Sequence, residues 1–266
     1  MPFTISHAAA AILLNRRGLV ISALVIGSMV PDLAYFVHLE GFNRELGHSI
    51  RGLFTFCLPV GLVILLVFHK LVKRPLFGLL PPSHQQRLLP YLQDFPFKSW
   101  HIMIRSLLSL GVGTLSHLAW DSFTHSHGVI VKNVATLRQP IIEIAGTKIY
   151  VFSILQHGST LLGLTALVLW YFHWYRKTPI CPYPVPSSLQ LADSTRFSIL
   201  GLMAGGVCLL CALAGFHSFP HALSLHKLRN MAERLAVVSI FALTMEIGFY
   251  CTIWYLLPLA RRDSKH

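Results

Sequence analysis

The segment HLAWDSFTH carries three potential metal ligands at regular spacing. His117, Asp121 and His125 stand at positions i, i+4 and i+8, so on an α-helix they fall along one face and drift by about 40° per step. Two imidazoles and a carboxylate on one helical stripe are typical of zinc sites and also suit manganese or iron. The alternative is that the histidines are interfacial helix-end residues. The ligand interpretation is favoured because an acidic group in a charge-poor apolar segment is usually paired, metal-bound or functional.

Three further candidates lie upstream in the chain. Asp32 follows Pro31 at the end of an apolar run, His48 lies in GHSIRG, and His7 precedes four alanines. Two of them have an alternative interpretation: Asp32 as a helix cap and His48 as a loop histidine. Downstream, Gln156 and His157 interrupt another apolar run. They are either partners of the metal ligands or a hydrogen-bonded polar pair.

The composition indicates the elements that must position these residues. Hydrophobic residues make up 54% of the 266 and charged residues only 12%, half of the roughly 25% typical of soluble proteins. This excludes a disordered chain and a coiled coil and indicates an integral membrane protein. The prediction is an all-α polytopic bundle of about six spans, each needing about 20 apolar residues. The apolar segments are 19–39, 52–72, 102–120, 149–175, 197–219 and 235–259.

The N-terminal region allows a second arrangement. Residues 7–15 and 19–30 have similar helical lengths, about 13 and 18 Å, and can form a helical hairpin with Arg16, Arg17 and Gly18 at its tip. His7 and Asp32 would then meet at the open end. The Lys/Arg bias favours both termini inside if there are six spans, whereas a hairpin in place of the first span leaves the side of the site open. We predict a single membrane domain, 1–266, with a metal-site half (1–130) and an apolar half (149–259).

Four motifs together carry a resemblance. MPFTISH, IGSMVPD, GHSIRGLF and HLAWDSFTH resemble an uncharacterised family of bacterial integral membrane proteins that opens with MPFT-x-SH. The first 130 or so residues are also similar to the group called membrane-bound metal-dependent hydrolases, whose H-x-x-x-D helix is similar to that of zinc-dependent phospholipase C. The resemblance implies that the protein binds a divalent metal, zinc above all. It also implies that the protein lies in the bacterial cytoplasmic membrane. The implied ligands are His7, Asp32, His48, His117, Asp121 and His125.

One departure concerns the residues after Pro31-Asp32. The hydrolase group carries an acidic residue and a histidine there, whereas this chain has Leu33 and Ala34, with His38 later. The number of metals is therefore open.

Two function classes follow. The first is a membrane-embedded hydrolase of phosphoester or ester bonds, with Asp32 or Asp121 orienting the attacking water or acting as base on an amphiphilic or lipid substrate. The second is a non-enzymatic membrane protein such as a metal-ion or proton-coupled transporter, for which Glu246 in the last apolar run would serve. The basic residues stand mostly between apolar runs, where a bilayer places them, so no nucleic-acid partner is expected.

Overall fold

The chain is almost entirely helical. The computed structural model describes residues 4–15, 18–33, 44–144, 147–218 and 225–256. Within these ranges a short antiparallel pair, β1 (Pro140–Ile144) and β2 (Thr147–Tyr150), accompanies the helices. The helices are α1 (Ala9–Leu14, preceded by the 3₁₀ turn Thr4–Ala8), α2 (Ile21–Leu33), α3 (Arg44–Gly47), α4 (Ile50–Gly78), α5 (Pro82–Leu88), α6 (Trp100–Thr124), α7 (Val129–Asn133), α8 (Val151–Lys177), α9 (Asp193–Ser218) and α10 (Leu225–Leu256).

Five helical segments of the described chain are long and apolar enough to cross a membrane, with 27 to 34 residues each. The predicted all-α polytopic membrane fold is therefore confirmed, and the protein is an integral membrane protein. The spans are Ile50–Gly78, Trp100–Asn133, Val151–Lys177, Ser187–Phe216 and Asn230–Leu256.

Only part of the segment predicted as the first span, 19–39, lies within the described residues. In that part α2 has 13 residues, about 20 Å of helix. Residues 34–39 of that segment lie outside the described part of the chain, as do His38, Arg16 and Arg17. Helices α1 and α2 contact each other, as expected of the N-terminal hairpin. Gly18, in the connection, has φ +108°, a conformation that only glycine adopts at little cost.

The crossing of α2 and α6 is unusually close. A Cβ added to Gly113 would meet the backbone of Leu24 and Ser28, and one added to Gly27 would meet the backbone of Leu110. Within a membrane small residues of this kind let two helices pack closely. The Thr114 hydroxyl also donates to the carbonyl of Gly27 at 3.1 Å. This crossing sets the position of the end of α2 relative to the middle of α6.

Helical contacts divide the chain into two compact units, one within 1–66 and 95–177, the other within 67–94 and 178–266. In the first unit, Ala23, Leu65 and Leu110 form a buried apolar cluster beside the α2–α6 crossing. In the second, α9 packs along α10, and the Tyr250 hydroxyl donates to the carbonyl of Pro75 at 3.1 Å. The first unit contains all six predicted metal ligands.

Candidate metal centre

Four of the predicted ligands converge in the first unit. Asp32 lies near the end of α2, His48 lies between α3 and α4, and His117 and Asp121 lie one turn apart on α6. One ligand atom from each lies within 4.8 Å of the other three, and Asp32, His117 and Asp121 are buried. This group, which we call the four-ligand cluster, can hold a metal ion.

The contacts within the cluster are between potential ligand atoms. His48 Nε2 lies 3.5 Å from Asp32 Oδ1 and 3.2 Å from Asp121 Oδ2. His117 Nε2 lies 3.6 and 3.4 Å from the same two oxygens, and 3.3 Å from His48 Nε2. Two carboxylates and two imidazoles around one point form a donor set that suits zinc.

A backbone carbonyl orients His117. Its Nδ1 lies 2.8 Å from the carbonyl oxygen of Ser28, and because a carbonyl only accepts, Nδ1 carries the proton. In the neutral ring Nε2 therefore presents its lone pair to the cluster, and His117 is completely buried. Metal-ligating histidines usually donate their other ring N–H in this way, so His117 fits the role of a ligand.

The pKa of His48 reflects the negative charge of the two carboxylates in the cluster. Burial lowers the pKa of this imidazole, but hydrogen bonds to the Asp121 and Asp32 carboxylates outweigh burial and raise the pKa above its ordinary 6.5. Two buried carboxylates therefore favour positive charge at this position. A divalent cation meets the same demand and displaces the proton when it binds.

His7 and His125 lie on the other side of Asp121. His7 Nε2 is 3.5 Å and His125 Nδ1 is 3.4 Å from Asp121 Oδ1, a buried oxygen without a hydrogen-bond partner among the described residues. The His7 ring also stacks on His117 with centroids 3.9 Å apart. The other five predicted ligand residues therefore lie around Asp121, although His7 and His125 are not members of the four-ligand cluster.

Three supporting groups differ in how well the sequence predicts them. Gln156, rather than its neighbour His157, contacts the site: its Nε2 lies 3.3 Å from His125 Nε2, whereas His157 is exposed. The role of the Ser28 carbonyl could not be predicted from the sequence, because every residue carries a carbonyl and no sequence signal distinguishes this one. Ser49 serves as the N-cap of α4, accepting from the Gly52 N–H at 2.9 Å, and so holds the loop that carries His48.

A cavity of about 530 Å³ opens beside the site, and we call it the polar cavity. His48, Asp121 and His125 lie on its wall, together with Ser122, His127 and Lys132. Lys132 and His127 are exposed. A small anionic group can therefore reach the cluster while contacting a cationic side chain.

Comparison with known proteins identifies a family and no activity. A family model for a domain of unknown function, DUF4184, matches residues 1–255. No curated protein and no solved structure shows significant similarity to the chain. The chain belongs to the DUF4184 family.

Proposed function

We propose that this DUF4184 protein is a membrane-embedded, metal-dependent hydrolase that cleaves phosphoester bonds in an amphiphilic substrate. The observation that carries the proposal is the convergence of Asp32, His48, His117 and Asp121 next to a cavity large enough for a substrate headgroup. A ligand set open to a cavity on one side is the feature that separates catalytic metal sites from closed structural ones.

The donor atoms support two neighbouring cation positions that share Asp121. The four-ligand cluster would hold the first cation, zinc by its imidazole and carboxylate donors. Asp121 Oδ1 with His7 and His125 would hold the second, since this buried oxygen lies beside both imidazoles and has no hydrogen-bond partner among the described residues.

The chemistry follows from the residues around these positions. A divalent metal held by the four-ligand cluster would lower the pKa of a bound water to about 7 and would polarise a phosphoryl oxygen. Asp32 would orient the attacking water and accept its proton, because both Asp121 oxygens are assigned to the two cation positions. A new P–O bond forms from the water, the P–O bond to the leaving alkoxide breaks, and the proton passes to that alkoxide. Lys132 and His127 line the polar cavity and would contact the anionic group, which favours a phosphoester over a neutral carboxyl ester.

The test compares two histidines on the same helix. His117→Ala removes a cluster ligand, whereas His101→Ala removes an exposed imidazole about 24 Å away along the same helix. We expect His117→Ala to lose the zinc ion of the four-ligand cluster and hydrolysis of bis(4-nitrophenyl) phosphate, and His101→Ala to keep both. Zinc is counted by plasma mass spectrometry on detergent-purified protein, and folding is checked by circular dichroism. Equal zinc content in the two variants would refute the ligand assignment, and hydrolysis of 4-nitrophenyl acetate alone would refute the phosphoester assignment.

The alternative function is transport of metal ions or protons. Its supporting observation is Glu246 in the middle of α10, whose Oε2 is buried without a hydrogen-bond partner among described residues and whose Oε1 lies against Gly206 of α9. An ionisable group at such a depth is a common mark of an ion pathway. Flux of zinc into proteoliposomes that is lost in Glu246→Gln but kept in His117→Ala would favour this function over hydrolysis.

A further inference from the structure

A second cavity adjoins the metal centre, and we call it the apolar groove. It has a volume of about 490 Å³ and lies between α1, α6 and α8. Ile12, Leu13, Leu162 and Ala166 form its aliphatic part. His7 also lines it, and the same imidazole lies 3.5 Å from Asp121. The groove therefore begins at the proposed catalytic site.

The groove is open along a surface that faces lipid. Leu13 and Leu162 on its rim are 79% and 72% exposed. Helix α8 is a candidate span, and no residue in its most apolar stretch is buried within the protein. Its outer surface is therefore expected to contact the bilayer. An alkyl chain can enter sideways from the membrane without crossing water.

The two cavities have complementary chemistry, and each is lined by one residue of the His7–Asp121 contact. The polar cavity presents Lys132 and His127 beside Asp121, and the groove presents aliphatic side chains beside His7. A molecule that occupies both must have an anionic group at the cluster and an apolar chain on the His7 side. This charge and polarity pattern matches a phosphoester lipid and disfavours a soluble phosphate ester.

We infer that the apolar groove binds the alkyl chain of a phosphoester lipid drawn from the bilayer, whose phosphate lies at the metal centre. This inference rests on the proposed function and specifies its substrate class. The groove wall from Ser159 to Ala166 covers seven residue rises, about 10 Å. The chain segment nearest the phosphate therefore determines recognition, and the remainder stays in the membrane.

The test uses n-alkyl phosphates as probes of the zinc-loaded protein in nanodiscs. Methyl, butyl, hexyl and octyl phosphate are titrated by calorimetry. In wild type we expect the Kd to fall with chain length, by up to about fourfold for each buried methylene. Ala166→Phe fills the groove from an exposed position. This variant should bind methyl phosphate like wild type and octyl phosphate at least tenfold more weakly.

Thr165→Phe is the matched control. Thr165 precedes Ala166 on α8, is exposed, does not line the groove, and bonds only locally to the Leu161 carbonyl. The two variants add a phenyl group to the same membrane surface, so partition of the probes into the bilayer cancels between them. Equal octyl phosphate affinity in the two variants would overturn the inference. A change of oligomeric state in Ala166→Phe with unchanged affinity would also overturn it, because the groove would then bind a second copy of the chain.

The same titration separates this inference from the proposed function. If methyl phosphate fails to bind, or binds equally well after zinc is removed, the hydrolase proposal fails. If methyl phosphate binds only with zinc while the Kd is independent of chain length, the metal centre stands and the groove assignment fails.

Discussion

Replacing Gly113 by alanine is expected to weaken metal binding, although Gly113 contacts no ligand atom. A Cβ on Gly113 would lie 2.8 Å from the Ser28 nitrogen, 3.0 Å from the Gly27 carbonyl carbon and still closer to the Leu24 oxygen. Ordinary van der Waals contact for a Cβ begins near 3.4 Å. All three atoms are backbone of α2, so the helix as a whole must retreat by more than half an ångström.

That movement acts directly on the metal centre. It carries Asp32 away from His117 and disturbs the hydrogen bond from His117 Nδ1 to the Ser28 carbonyl, now 2.8 Å long. Metal sites tolerate deviations of about 0.2 Å in ligand distance, and loss of a group that orients a ligand typically costs 10- to 100-fold in affinity. We therefore expect the zinc Kd of Gly113→Ala to rise by about 10- to 100-fold.

Gly111 provides the control on the same helix. A Cβ there has nothing within 4 Å, so Gly111→Ala should keep the wild-type zinc affinity and gain up to about 1 kcal/mol of helix stability. Affinity is measured by competition with a chromophoric chelator, and folding by thermal unfolding followed with circular dichroism. Wild-type zinc affinity in a folded Gly113→Ala protein would refute the argument that the helix crossing sets the ligand geometry.

Three further outcomes are expected. His7→Ala and His125→Ala should each lower bound zinc from two ions per chain to one by plasma mass spectrometry, and two ions retained in both would exclude the shared-Asp121 arrangement. Chelation should lower the unfolding temperature, and zinc restored at 100 times its Kd should return about 2.7 kcal/mol of stability for each site filled; identical melting curves would show that no metal binds the folded state preferentially. Lys132→Ala should raise KM for bis(4-nitrophenyl) phosphate by up to about fivefold with little change in kcat, because an exposed cation contributes modestly and equally to ground and transition states. A selective loss of kcat would instead place Lys132 in the chemical step.

Several features followed from the sequence because local geometry decides them. The i, i+4 spacing of His117 and Asp121 needs only the pitch of an α-helix to place both side chains on one face. Span-length helices followed from apolar runs, since a bilayer requires a fixed length of hydrophobic chain. The short N-terminal helices were predicted only as one of two arrangements, because hydropathy cannot separate a span from a shorter apolar helix.

Only the tertiary structure decided which distant residues meet and how. The Gly27–Gly113 crossing brings Asp32 near His117, and close approach of two helices depends on backbone contacts that composition does not encode. The Ser28 carbonyl that orients His117, and the assignment of one Asp121 oxygen to His48 and His117 and the other to His7 and His125, likewise depend on packing in three dimensions. Residue type and spacing determine which ligands the chain carries, whereas the coordination geometry arises from helices that are far apart in sequence and fit closely together in space.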